Sequence, residues 1–237
     1  QDPDSRIVSL YDGEIRYVDE QIGRLIGKIE NLGIFDRSLI IVTSDHGEAF
    51  GEHNDYGHGS TIYQEQLKIP LIIKFPHDLG AGTVIEEPVL SVDIMPTILD
   101  LIDGMQETES ELEGKSILPL IGERDVPGFG REIYIEENQD NVYVLDGLIR
   151  NNRWKYILTS KSELRDLKKE GREELYNLSE DPEELNNLIG IEPEIAETMR
   201  KALRAFKERD HARKPAAAPV KIDPATTRQL KTLGYIQ

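Results

Sequence analysis

Ser38-Leu39-Ile40-Ile41-Val42-Thr43-Ser44-Asp45-His46-Gly47-Glu48 is the stretch that decides how the chain folds. Its apolar run, rich in β-branched Ile and Val, reads as a buried strand. The run gives way to hydroxyl residues, then a carboxylate, an imidazole and a glycine. In an open α/β sheet, ligands bind outside the carboxyl ends of the strands. A side chain required for chemistry is well placed there, on a rigid strand end. Asp45 and His46 are adjacent, so in extended chain they point to opposite sides. Gly47 lets the backbone turn, and both can then face one ion. Carboxylate plus imidazole is a metal-ligand pair. The same residues also read as a helix cap, Asp45, followed by a surface imidazole, His46.

Further landmarks follow in order: Phe50-Gly51-Glu52-His53, then Gly57-His58-Gly59-Ser60-Thr61-Ile62-Tyr63-Gln64-Glu65-Gln66-Leu67-Lys68-Ile69-Pro70-Leu71-Ile72-Ile73. Together with Ser44-Asp45-His46-Gly47 they resemble the sulfatase family of the alkaline-phosphatase-like superfamily. The resemblance implies that Asp45 and His46 are two ligands of an active-site divalent metal. The usual family metal is calcium. Histidine in place of the family's common asparagine adds a nitrogen donor, which suits Mn²⁺ or Zn²⁺. His58 occupies a position that is often lysine in the family and contacts the sulfate group. The resemblance thus assigns His58 to the substrate's anionic group or to its leaving oxygen, as anion contact or as general acid.

Composition narrows the classes. The chain has 237 residues, enough for one large domain or one and a half, with 28 Lys plus Arg against 45 Asp plus Glu and a net charge of −17. That charge argues against nucleic-acid backbones as partners and against attraction to anionic membranes. An anionic substrate then needs a local positive site such as a metal ion. No apolar run approaches the ~20 residues of a membrane span. There is no cysteine, so disulfides and thiolate metal sites are excluded.

Along the chain, apolar residues from Val8 to Leu32 recur at three-four spacing, predicting a long amphipathic helix with one face buried, stopped by Gly33. Helix then strand predicts an α/β fold: part of a mixed, mainly parallel sheet with flanking helices. The loop from Gly47 to Gly59 is expected to face a ligand, with His53 in a structural or supporting role. Tyr63 to Gln66 reads as one helical turn. Ile69 to Phe75 reads as a second buried strand, with Lys68 structural. Val89 to Leu101 reads as a strand end passing into a helix, with Asp93 as a cap and Pro96 in the first turn. It resembles a family segment, as does Gly114-Lys115-Ser116-Ile117-Leu118-Pro119-Leu120. Gln106 to Glu113 reads as an acidic surface loop, and Glu123 to Gly130 as a boundary.

Beyond it, Ile133–Ile135, Val142–Ile149 and Trp154–Ile157 read as short strands, with a turn at Asn151-Asn152. Glu174-Leu175-Tyr176-Asn177-Leu178 to Pro182 resembles the family's closing motif, and Ile195 to Arg209 reads as a helix. The second part is therefore expected to be a small antiparallel C-terminal sheet with a packed helix. The expected division is 1–125, the C-terminal portion of a sulfatase-like catalytic domain; 126–211, a small α+β subdomain; and 212–237, linker and tail.

The implied reaction is metal-dependent sulfate ester hydrolysis on a small molecule or glycan. In the family a formylglycine, made from Cys or Ser in a C/S-x-P-S-R motif, is the nucleophile, and that motif is not in this sequence. The chain is therefore expected to be the C-terminal half of a longer enzyme, inactive alone, with formylglycine in the other half. Phosphodiester or phosphonate hydrolysis within the same superfamily is the rival reading. A non-catalytic interaction module is a third. Self-association through surface left uncovered is a further expectation.

Overall fold

The computed structural model describes residues 3–102, 112–121, 126, 129–139, 143–161 and 172–213. The acidic stretch 106–111, most of the boundary stretch 123–130, and the segment 214–237 lie outside the described residues.

The three-four spacing forms helix α1 (Pro3–Asn31). Gly33 ends it at φ 67°, donating to Glu30 O while Ile34 reaches back to Ile29 O, a left-handed stop that glycine adopts at no steric cost. The apolar face of α1 is not buried as its pattern predicts. Ile15, Val18 and Leu25 are 53%, 52% and 60% exposed. The ring contact on this face is Tyr11 edge-on to Phe50, with centroids 4.9 Å apart.

Strand β1 (Ile40–Thr43) follows. It pairs antiparallel with β4 (Leu71–Lys74), Ile40 opposite Lys74 and Thr43 opposite Leu71. This corrects the mainly parallel sheet: among the described residues every strand pair is antiparallel. A parallel return needs a crossover that carries the chain back across the sheet, usually a helix. The link from Ser44 to Pro70 is long enough, but it holds only β2 (Ala49–Phe50), a 3-10 turn (Glu52–Asn54), β3 (Tyr56–Gly57) and the one-turn helix α2 (Gln64–Leu67). The chain re-enters from the end at which it left. Lys74 fixes the approach to β1, its Nζ donating to the carbonyls of Phe35, Asp36 and Ser38 at 2.6, 2.8 and 3.2 Å.

Where a strand end was expected at Val89, a short turn over Ser91–Asp93 leads into α3 (Ile94–Leu101). Asp93 caps that turn, its side chain accepting the Leu90 amide, but makes no side-chain cap bond to α3 itself. It is 1% exposed, takes the amides of Leu90 and Lys115 at 2.8 Å each, and pairs with Arg131. It thereby ties the 114–120 stretch to α3.

The second half of the chain forms an antiparallel sheet in the order β5 (Ile133–Gln139), β6 (Tyr143–Arg150), β7 (Trp154–Lys161), β8 (Arg172–Asn177). Asn151 and Asn152, at φ 53° and 50°, make the β6–β7 turn, a conformation asparagine tolerates. Strand alternation splits β7 between two faces. Leu148, Tyr156 and Leu175 pack against Ala196, Met199 and Leu203 of α4 (Pro193–Arg213). On the opposite face Leu145, Ile157 and Tyr176 pack against Ile62 and Tyr63 of the loop before α2.

A polar group sits in that second interface. Lys155 Nζ meets Glu184 Oε1 at 2.6 Å, and both side chains are 0% exposed. Glu184 Oε2 takes the amide of Gln64 at 2.6 Å. Burial pushes the Lys155 amine down and the Glu184 carboxyl up, so each head holds its charge through the other.

Candidate metal and anion site

The loop from Ser44 to Gly59 is held at both ends. Thr43 Oγ1 donates to Pro70 O at 2.8 Å, anchoring the end of β1, and Ser44 Oγ donates to His46 O at 2.7 Å. Asp45 Oδ1 accepts the His46 amide at 3.1 Å. His46 Nδ1 lies 2.8 Å from Gly47 O. A carbonyl only accepts, so the proton belongs on Nδ1 and Nε2 keeps its lone pair. That Nε2 lies 3.7 Å from Asp45 Oδ1. Two donors each ~2.0–2.2 Å from a Zn²⁺, or ~2.3–2.6 Å from a Ca²⁺, can both span such a gap. The pair therefore fits one divalent ion without selecting which.

His58 stands against His46, the rings stacked with centroids 3.7 Å apart. Its Nδ1 is 2.8 Å from Glu48 Oε2. The carboxylate accepts, which leaves Nε2 of His58 for another partner. Ligand atoms of His46, Glu48 and His58 lie within 4.8 Å of one another. The structure thus brings together His46 and His58, with Asp45 adjacent, and adds Glu48, which the sequence reading did not single out. The signal was available: Glu48 is two residues past His46, the spacing that returns an extended chain to the same side.

Gly47 is needed for space. A Cβ there would lie 2.0 Å from the Glu65 carbonyl oxygen, and Gly47 N donates to Gln66 O at 2.8 Å. Gly47→Ala is expected to force β1 and α2 apart at a cost of about 1–3 kcal/mol, as overpacking does. Urea unfolding of the variant reads this; an unchanged midpoint would sink it.

His53 does not join the site. Its ring stacks on Tyr63 at 3.7 Å, with Nδ1 2.8 Å from Glu65 Oε1 and Nε2 3.1 Å from Glu184 O. Both nitrogens face acceptors, which only the protonated ring can serve. Burial lowers its pKa, but the bonds to the Glu184 carbonyl and the Glu65 carboxylate outweigh this and hold it above the ordinary 6.5. A raised folded value means the contribution is complete below the unfolded pKa and is lost as pH rises through the folded one. The wild type is therefore expected to lose more stability than His53→Gln between about pH 6 and pH 8. Denaturant midpoints at both pH values check this, and parallel pH slopes would rule it out.

Asp45, His46, His58, Gln66, Lys68 and Arg131 line one broad cleft of about 2630 Å³.

The Sulfatase family model matches residues 1–105. Bovine arylsulfatase K (Bos taurus) is 31% identical over 198 residues, covering 79% of this chain and 34% of that protein. The chain therefore spans about a third of that relative's length. Among solved structures, one in complex with its substrate D-glucosamine-2-N,6-O-disulfate superposes with a TM-score of 0.70 at 26% identity, covering 85% of this chain and 40% of that one. The phosphonate monoester hydrolase of Agrobacterium radiobacter gives 0.69 at 25% identity, covering 87% and 42%. Helices with small antiparallel sheets are thus arranged here as in sulfatases.

Proposed function

With residues 1–105 matching the sulfatase family, we propose that this chain carries the metal-ligand side of a sulfuric ester hydrolase belonging to a longer protein. Its substrate is a sulfate ester of a small molecule or glycan. The observation that carries the reading is the Asp45 Oδ1–His46 Nε2 pair at 3.7 Å with a second imidazole stacked beside it.

Asp45 and His46 hold one divalent cation: calcium by family habit, or Mn²⁺ or Zn²⁺ in keeping with the nitrogen donor. The cation supplies Lewis acidity toward a sulfate oxygen. His58 meets the anionic group or the leaving oxygen through Nε2. When its ring is protonated, Nε2–H can pass a proton to the oxygen as the S–O bond breaks, a role worth typically ~100- to 10,000-fold. Glu48 accepts a hydrogen bond from Nδ1–H and fixes the direction of the ring. The nucleophile is a different matter. The chain has no cysteine and no C/S-x-P-S-R motif, so these residues do not fit a formylglycine, and the proposal assigns it to a segment beyond them.

The match to a phosphonate monoester hydrolase favours a second reading almost equally, hydrolysis of a phosphonate or phosphodiester. The test sets p-nitrophenyl sulfate against p-nitrophenyl phenylphosphonate with Mn²⁺ or Ca²⁺. The longer gene product is expected to favour the sulfate, and the 237-residue chain alone to turn over neither. A faster phosphonate reaction would put the second reading first. Turnover by the chain alone would overturn the placement of the nucleophile.

A further inference from the structure

We propose that Gln66 is a positioning residue that clamps the two histidines of this site together; this rests on the functional reading above for its purpose, though not for its geometry. Gln66 sits in α2 and is 5% exposed. Its backbone carbonyl accepts the amide of Gly47 at 2.8 Å. Its side-chain Oε1 accepts the amide of Gly59 at 2.9 Å. Gly47 follows His46 and Gly59 follows His58, so one residue grips the chain immediately after each imidazole. The rings it brings together are those stacked at 3.7 Å.

The amide is the side chain this geometry demands. The Gly59 amide can only donate, so it needs an oxygen. On the other side Gln66 Nε2 donates to Asp55 Oδ2 at 3.0 Å, and a carboxylate needs a donor. Asp55 also takes the Ser60 hydroxyl, one residue past Gly59. A glutamate at 66 would set two carboxylates face to face, and an apolar side chain would take these bonds from the Gly59 amide and Asp55 in a partly buried place. α2 is itself braced, since Glu184 holds the amide of Gln64 at 2.6 Å. The loop from Gly47 to Gly59 is thus closed on a rigid support, and a disordered loop of that length would have to pay closure entropy each time the histidines met.

The experiment uses the 237-residue chain in three forms: wild type, Gln66→Met, and the double variant Asp55→Asn with Gln66→Glu. Methionine fills the space of glutamine without its hydrogen bonds. The double variant exchanges donor and acceptor across the same contact and keeps the Gly59 bond, while the single change to methionine keeps the charge at position 66. Two readouts are taken: Mn²⁺ affinity by isothermal titration, and the nuclear Overhauser contact between the His46 and His58 rings without metal. Circular dichroism confirms that each form is folded. Gln66→Met is expected to weaken Mn²⁺ by about 10–100-fold, the usual cost of losing a ligand's support, and to lose the ring contact. The double variant is expected to keep the ring contact and to bind within a few-fold of wild type. If folded Gln66→Met keeps the ring contact, or the double variant loses it as fully, the clamp is wrong. If wild type takes no Mn²⁺ while the ring contact follows the clamp, the functional reading fails and the clamp stands.

Discussion

Lys155→Met is expected to cost about 3–5 kcal/mol of stability, the penalty for stranding one member of a buried ion pair. That is a large share of the ~5–15 kcal/mol a folded domain commands. Lys155 and Glu184 are both 0% exposed and meet at 2.6 Å. Without the amine, the Glu184 carboxylate would sit buried, with Glu65 adding to the repulsion. Its remaining escape is to take a proton. Burial already holds this carboxyl above the ordinary carboxylate range, with Lys155 pulling it back. In the variant that pull is gone, so the folded pKa rises further above the unfolded one. A carboxyl raised in the folded state binds protons that the unfolded state releases, so the penalty shrinks as pH falls and is greatest at neutral pH. Lys155→Met with Glu184→Gln removes both charges and keeps an oxygen for the Gln64 amide, so it recovers most of the loss. Urea unfolding at neutral and acid pH measures all of this. A single variant as stable as wild type at neutral pH would refute it.

This ion pair marks the limit of what sequence reasoning could reach. Lys155 lies in Trp154-Lys155-Tyr156-Ile157, a segment legible as a strand, and alternation put its neighbours Tyr156 and Ile157 on opposite faces. A lysine just before them, on the Ile157 side, reads as solvent-facing, because the second face of the sheet is ordinarily wet. That face is covered here by Ile62 and Tyr63, nearly a hundred positions earlier, and no local pattern announces such a contact. The same limit explains the sheet. Strands β1, β4, β5, β6 and β7 were visible as apolar runs, β2 and β3 were not, and α1, the Gly33 stop and the Asn151-Asn152 turn were visible from spacing and turn chemistry. The direction of pairing was not, because helix-then-strand order suits a parallel crossover while the Ser44–Pro70 link folds locally instead. Strand β8 was visible only as a family motif, Glu174-Leu175-Tyr176-Asn177, whose alternation is obscured by the buried Glu174 that Tyr63 and Tyr176 share at 2.6 and 2.5 Å. Asp45, His46 and His58 could be singled out from the sequence by type and motif. Glu48 could have been, from its spacing to His46, but Gln66 could not, since a glutamine in a single helical turn carries no signal until the loop is closed on it.

Asp45→Ala or His46→Ala is expected to reduce the chain's Mn²⁺ affinity by more than the ~10–100-fold that follows loss of a ligand's supporting bond, because each removes a donor atom outright. The two variants should differ in kind. Asp45 brings the charge: its side chain is 73% exposed and offers an oxygen to any divalent cation, so Asp45→Ala weakens Ca²⁺, Mn²⁺ and Zn²⁺ together. His46 brings the nitrogen, with its proton committed to Gly47 O and its lone pair at Nε2. His46→Asn substitutes a harder oxygen donor, and is expected to weaken Zn²⁺ more than Ca²⁺, narrowing or inverting the preference between them. Asn at 46 cannot reproduce the imidazole stack on His58, so the His58 ring signals should shift in the metal-free chain as well. Isothermal titration with each cation separates these outcomes. Equal losses of Zn²⁺ and Ca²⁺ in His46→Asn would mean the ring acts only as a spacer. Undiminished binding in Asp45→Ala would place the cation elsewhere, with the His46, Glu48 and His58 group, whose ligand atoms lie within 4.8 Å of one another, as the alternative holder. In that case Glu48→Gln, rather than Asp45→Ala, would abolish binding, and His58 would be a ligand in place of a partner for the substrate.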